Sequence, residues 1–171
     1  MKSFYFYPLF VFFFIAFTAC EKESEISTPA TIDDYFELKI DDIPLSVQIA
    51  ITRSEQKKGL MYRESLPENS GMLFSYKSAR QMSFWMANTK IPLDIAFFDK
   101  DGILKEIYRL YPNNTTTTKS ISDDLHYAIE MEQGWFRSKG LKAGSQLDLN
   151  LVAKGLKARG EDISECNLSL D

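Results

Sequence analysis

The chain has 171 residues, with 20 basic and 24 acidic side chains and a net charge of −4. That balance argues against nucleic acid as a partner, because phosphate recognition needs a basic face. Two cysteines, Cys20 and Cys166, offer no disulfide framework, and one histidine, His126, cannot build a His-rich zinc or copper site.

The N-terminus reads MKSFYFYPLFVFFFIAFTAC. Lys2 gives a positive start and Ser3 to Thr18 is almost entirely apolar, the pattern of an export signal rather than of a spanning helix. Thr18 and Ala19 are small and precede Cys20, as a lipoprotein-type signal peptidase requires, with Phe17 in place of the usual Leu. Residues 1–19 are therefore expected to be a lipoprotein signal peptide, with Cys20 the lipidation site. The competing reading is an ordinary secretory signal cut near Ala19. Two or three acyl chains hold a protein at a bilayer stably where one does not. The expected partner is thus a lipid membrane, and the expected place the bacterial cell envelope. Residues 20–34 are polar and acidic without apolar periodicity, and are expected to be a flexible tether.

Residues 35–154 are expected to form a single β domain, followed by a polar tail over 155–171. Tyr35 to Ile40 and Leu45 to Ile51 alternate apolar and polar residues across an Asp41-Asp42 turn, which predicts two strands. Thr52 and Glu55 form a capping-box pattern and Gly59 a stop signal, which predicts a short helix over Arg53 to Lys58. Strands follow at Gly71 to Tyr76, Gln81 to Met86, Leu93 to Asp99 and Ile103 to Leu110; Asp101-Gly102 predicts a hairpin between the last two. The run YPNNTTTTKSISDD reads as an exposed loop, HYAIEME as a strand, GWFRSKGL as one helical turn and SQLDLNLVA as a last strand. Many short strands with few helices predict a mainly β fold, a compact antiparallel β-sandwich or small barrel with one or two short helices.

Glycine-rich phosphate loops and nucleophile elbows are absent from the sequence. DKDG lacks the further acidic ligands of a calcium loop and is already explained as a turn. No cofactor and no metal are expected. Asp94 and Glu130 stand out as carboxylates in otherwise apolar strands. By the two-residue period Asp94 points with Ala96 and Phe98, while Glu130 points with Ala128 and away from Tyr127, Ile129 and Met131. Burying either without partners is costly. One reading has the pair facing a cleft as general acid and base; the other has each neutralised by an Arg (Arg53, Arg63 or Arg80) or by backbone N–H groups. Asn88 and Thr89 are expected to orient Asp94. Trp85 and Trp135 admit a sugar-stacking reading beside the commoner one of core packing, and Met61, Met72, Met82 and Met86 admit a soft-metal reading, for example Cu(I), beside the favoured one of core packing that their apolar patterns suggest.

The segments TRSEQKKGLMYRESLPENSGMLFSY, FWMANTKIPLDIAFFDKDG and YAIEMEQGWFRSKGLKAG occur in this order between about Leu45 and Leu149. In these residues the chain resembles the prokaryotic family called domain of unknown function 192. The resemblance implies a compact, mostly β domain, often exported, of unestablished activity. The family-like polar positions correspond to Arg53, Gly59, Arg63, Gly71, Asn88, Thr89, Pro92, Asp94, Glu130 and Gly134. Ala87 stands where a basic residue is common, and Ser145 where an acidic residue commonly follows the glycine.

The expected function is a membrane-tethered, noncatalytic binding or accessory domain of the envelope, with a glycan or protein partner. Its candidate binding residues are Arg53, Arg63, Trp85, Asn88, Thr89, Asp94 and Glu130. The alternative is a metal-independent hydrolase or lyase acting on envelope glycans through Asp94 and Glu130.

Overall fold

A computed structural model describes Met1 and residues 28–163. The expected signal peptide, Cys20, the first part of the tether and Cys166 lie outside the described residues. Among the described residues no helix is long and apolar enough to cross a membrane.

The described residues are mostly β, with eight strands and three short helices. Strands β1 (Phe36–Ile40) and β2 (Ile43–Ala50) form the first hairpin, with Asp41 at φ 51° in the turn. Helix α1 (Arg53–Lys58) follows, then β3 (Ser70–Arg80), the two-residue β4 (Ser83–Phe84), β5 (Leu93–Asp99) and β6 (Leu104–Leu110). The two-residue β7 (Thr118–Lys119), β8 (Leu125–Glu132), α2 (Trp135–Ser138) and α3 (Leu149–Ala158) complete the chain.

Six strands make one sheet in the order β1-β2-β3-β8-β5-β6, which is open and not closed into a barrel. The sheet departs from the antiparallel expectation at one place. Strands β2 and β3 run parallel, Val47 opposite Gly71 and Ile49 opposite Leu73. A parallel pair cannot be joined by a tight turn and needs a crossover. The segment carrying α1 supplies it. Gly71 also lets β3 and β8 approach: a Cβ built there would lie 2.0 Å from the Glu130 carbonyl oxygen and 2.4 Å from the Met131 sulfur.

Both faces of the sheet are covered, which explains why β5 and β8 are apolar on both sides. On one face Leu73, Ala96, Phe98, Ile129 and Met131 meet Trp135 and Phe136 of α2 and Val152 and Leu156 of α3. On the other, Met72, Phe74, Ile95, Phe97 and Ala128 meet Leu60, Met82, Phe84 and Met86. Strands β4 and β7 pair only with each other, two residues against two. So small a ribbon is not stable alone. Burial of Phe84, edge-on to Phe74 at 4.9 Å and tilted against Phe97 at 5.8 Å, holds it to the sheet; a buried Phe side chain contributes about 2–3 kcal/mol.

The expected last strand over SQLDLNLVA is instead a bridge followed by a helix. Gln146 and Leu147 form isolated bridges to Ile103 and Ile40. The Asp148 carboxylate then accepts from the Asn150 and Leu151 N–H groups and caps α3. Val152, Ala153 and Leu156 fall on the buried side of that helix, and Gly155 packs against Ile49 and Phe36. The helix thus runs on past Lys154, where a polar tail was expected. The end of the expected tether is also engaged: Ala30 N–H donates to the Ala158 carbonyl (2.8 Å), and Arg159 donates to the Ala30 carbonyl (2.7 Å).

Candidate functional site

The strand register separates the two carboxylates that the sequence singles out. Asp94 stands opposite Met131, and Ile95 opposite Glu130. Residues directly opposite share a face and neighbours alternate. Asp94 therefore lies on the α2/α3 face and Glu130 on the Phe84 face. The two cannot act on one substrate as acid and base, and the glycan hydrolase or lyase reading loses its catalytic pair.

Asp94 is 4% exposed. Its Oδ2 accepts from the backbone N–H of Gly134 at 2.7 Å. Gly134 precedes α2 in the left-handed region (φ 89°), where no side chain of its own caps the turn. Asp94 supplies that acceptor from the neighbouring strand and fixes where the chain leaves β8. The donors differ from the expected Asn88 and Thr89, which lie across the sheet. Arg109 and Arg137 line a depression of about 730 Å³ beside Asp94, but neither forms an ion pair with it.

The opposite face carries a second arrangement, built around α1. Thr52 and Glu55 form the expected capping box, with the Glu55 N–H donating to Thr52 Oγ1 and the Glu55 carboxylate accepting from the Thr52 and Ile51 N–H groups. Arg159, nearly buried, donates to the same carboxylate at 2.5 Å. Partial burial pushes the Glu55 carboxyl up, but these donors and the guanidinium outweigh it and hold its pKa below the usual range. The helix is thus fixed at its start, and its last turn presents Lys57 and Lys58 to solvent.

Two loops face each other beyond α1. Tyr62 at φ 64° and Asn88 at φ 57° both occupy the left-handed region, and the Tyr62 N–H donates to the Asn88 carbonyl at 2.8 Å. A bulky aromatic residue there is strained, and such strain clusters at functional positions. Between the loops runs an open groove of about 730 Å³, lined by Lys57, Lys58, Met61, Tyr62, Trp85 and Asn88 among others. Tyr62 is 69% exposed and Trp85 46%. Alternation along Gln81–Met86 holds, burying Met82, Phe84 and Met86 and turning Trp85 outward. Trp135, in contrast, is buried with its indole N–H on Asn69.

The groove continues into a cleft of about 270 Å³ whose lining adds Thr89, Phe74, Phe84 and, at its floor, Glu130. Glu130 is 4% exposed. No protein group among the described residues donates a hydrogen bond to its carboxyl. Burial alone raises its pKa from the ordinary value to about 8, because a charge loses its water there and gains nothing in return.

Of the residues expected from the sequence, Trp85, Thr89 and Glu130 meet in the cleft, and Asn88 joins Trp85 in the groove. Arg63 donates to Gln48 Oε1 and, at 3.4 Å, to Tyr35, so it braces the crossover instead. Arg53 is exposed at the start of α1 and lines neither space. Ala87, one of the departures from the family pattern, lines the groove, while Ser145 lies by Leu104 on β6. Lys57, Lys58 and Tyr62 are additions that the sequence does not single out, and Met61, expected in the core, is only partly buried and lines the groove and the cleft. The Lys57-Lys58 pair behind a capping box is the one signal that pointed to them. Met72, Met82 and Met86 are buried in the core.

These features define a small, mostly β domain with one parallel strand pair and an aromatic-walled groove over a buried carboxyl. The chain belongs to the family DUF192, described as Uncharacterized ACR, COG1430, which it matches over residues 36–149. It is similar to a crystal structure of a protein provisionally described as a transcription regulator from Sinorhizobium meliloti 1021, at 27% identity and TM-score 0.64, covering 67% of this chain and 93% of that one. A protein of unknown function from Novosphingobium aromaticivorans DSM 12444 is similar at 28% identity and TM-score 0.63, covering 72% and 94%. No curated protein matches the chain.

Proposed function

We propose that the protein is a noncatalytic binding or accessory domain of the cell envelope, tethered to a membrane through a lipidated Cys20, with the Trp85–Tyr62 groove as its binding surface. The observation that carries the reading is the groove itself. Two exposed aromatic rings, two lysines with no acidic partner among the described residues and a buried carboxyl to which none of those residues donates converge in one place, beside backbone held in a strained conformation. Concave sites with a few convergent polar groups and one perturbed titratable group are where ligands bind. No nucleophile with an adjacent base lines this groove, which supports binding over chemistry. The regulator description of the Sinorhizobium protein is not carried over to DNA binding here, since the chain's net charge is −4.

The anchor rests on the apolar N-terminus and on the position of Cys20. Intact-mass analysis of the protein from membranes should show diacylation that Cys20→Ala abolishes; an unmodified, released wild type contradicts the anchor. For the groove, the full chain is screened by thermal shift against envelope sugars, peptidoglycan fragments and metal ions. A ligand at 100 times its Kd stabilises by about 2.7 kcal/mol. A hit that Trp85→Ala removes supports the groove; a hit that Trp85→Ala leaves intact contradicts it.

A further inference from the structure

The cleft above Glu130 narrows what the groove can take. The carboxyl is buried yet reaches a solvent-connected space, and among the described residues no group donates to it. A cation is a poor occupant, because Lys57 and Lys58 line both the cleft and the groove outside it. An anion suits the lysines but is repelled by a charged Glu130, so the carboxyl must enter as an acid, which donates one hydrogen bond and accepts another. Trp85, half exposed, offers a flat ring for stacking on the path between. Resting on the groove reading above, we infer that this is a subsite for an acidic saccharide: a pyranose that stacks on Trp85, turns its carboxylate to Lys57 and Lys58, and pairs a hydroxyl or acyl oxygen with the protonated Glu130 carboxyl.

The arrangement makes binding depend on pH. The raised Glu130 pKa, about 8, keeps the acid form at neutral pH. Lys57 and Lys58 from α1 line the same cleft, and Tyr76 from β3 is coupled electrostatically to Glu130. Burial raises the Tyr76 hydroxyl, against the pull of Arg80 and with a contribution from Glu130, so it stays neutral across the same range. Gln48, from β2, sits in the same row of the sheet beyond Met72 and carries no charge.

The test is calorimetric titration of the full chain with a glucuronic acid oligosaccharide at pH 6.5 and 9.5. Wild type should bind at the lower pH and lose more than about tenfold in affinity at the higher, as expected when only the acid form binds. Glu130→Gln keeps a donor and an acceptor, so it should bind at both pH values with that difference removed. Its melting curve at pH 9.5 should be no lower than that of wild type, which excludes misfolding. Reversing the charges of the exposed lysines, Lys57→Glu with Lys58→Glu, should abolish binding. Binding lost in Trp85→Ala but equally pH-dependent in wild type and Glu130→Gln would overturn the role of Glu130 and leave the groove standing. Absence of uronate binding to wild type at millimolar concentration would overturn the ligand class; if neutral glycans and peptidoglycan fragments also failed, the glycan reading of the groove would fall with it.

Discussion

Asp94 and Glu130 are buried to the same degree, 4% exposed each, one on either face of the same sheet. Asp94 receives a backbone N–H from Gly134, and the turn into α2 is built on that bond. Glu130 receives no hydrogen bond from the described residues and looks into a cleft. A third carboxyl, Glu106 on β6, shows the other extreme. Partial burial pushes it up, but donors from Ile121, Ser122 and Tyr108 outweigh this and hold its pKa at about 2. Burial alone therefore does not mark a functional carboxyl. The donors supplied to it do. A donor ties chain segments together, as at Asp94 Oδ2 and at Glu106, although Asp94 Oδ1 is itself buried with no hydrogen-bond partner among the described residues; a carboxyl with no donor that opens on a cleft is left to meet a ligand.

The comparison breaks most severely if its shared frame is disturbed. Gly71→Val should destabilise by about 3 kcal/mol or more, since its Cβ would collide with the Glu130 carbonyl; a urea midpoint near wild type would show that β3 and β8 are not in this register. Next, Glu130→Gln should raise stability at alkaline pH. The folded pKa lies above the unfolded value, so the wild type keeps its full stability below about 4.5 and loses it as pH rises through about 8. The difference between variant and wild type should open over that window, by as much as several kcal/mol, and then stay constant. Asp94→Ala should have the opposite sign, costing about 1–3 kcal/mol by removing the buried acceptor of the Gly134 N–H, while leaving ligand binding at the groove intact. Glu106→Gln should cost about 1–2 kcal/mol at pH 7, discounted for solvent screening. Its pKa is depressed, so that stabilisation is present above about 4.5 and lost as pH falls through about 2; denaturation curves of variant and wild type should converge there. Trp85→Ala should change stability least, within about 0.5 kcal/mol, and remove binding.

Local chemistry wrote the elements that the sequence reveals. The capping box at Thr52 and Glu55, the β5–β6 hairpin at Asp101-Gly102 and the alternation of β1, β2 and β5 are each set by residues within a few positions. The directions of Asp94 and Glu130 were equally readable from parity. Their separation onto opposite faces was not, because it depends on the register that places Ile95 opposite Glu130 across two strands distant in sequence. The parallel pairing of β2 with β3 is long-range in the same way. Strand β7 was invisible within a polar run, since two residues pairing with β4 leave no pattern. Helix α3 was misread because Leu147, Leu149 and Leu151 alternate like a strand, while the cap at Asp148 and the spacing of Val152, Ala153 and Leu156 decide for a helix. Tyr62 belongs to the groove only through a strained backbone that no neighbouring residue announces.

The two tryptophans sit one in each region and make the most direct test. Trp85 walls the groove, and Trp135 opens α2 beside the Asp94 corner. Their indole N–H signals in a ¹H–¹⁵N correlation spectrum of the full chain, assigned with Trp85→Phe, are followed as a peptidoglycan digest or a uronate oligosaccharide is added. The account predicts that the Trp85 signal shifts and the Trp135 signal stays. A shift at Trp135 with Trp85 unmoved would place the ligand at the other face and contradict it.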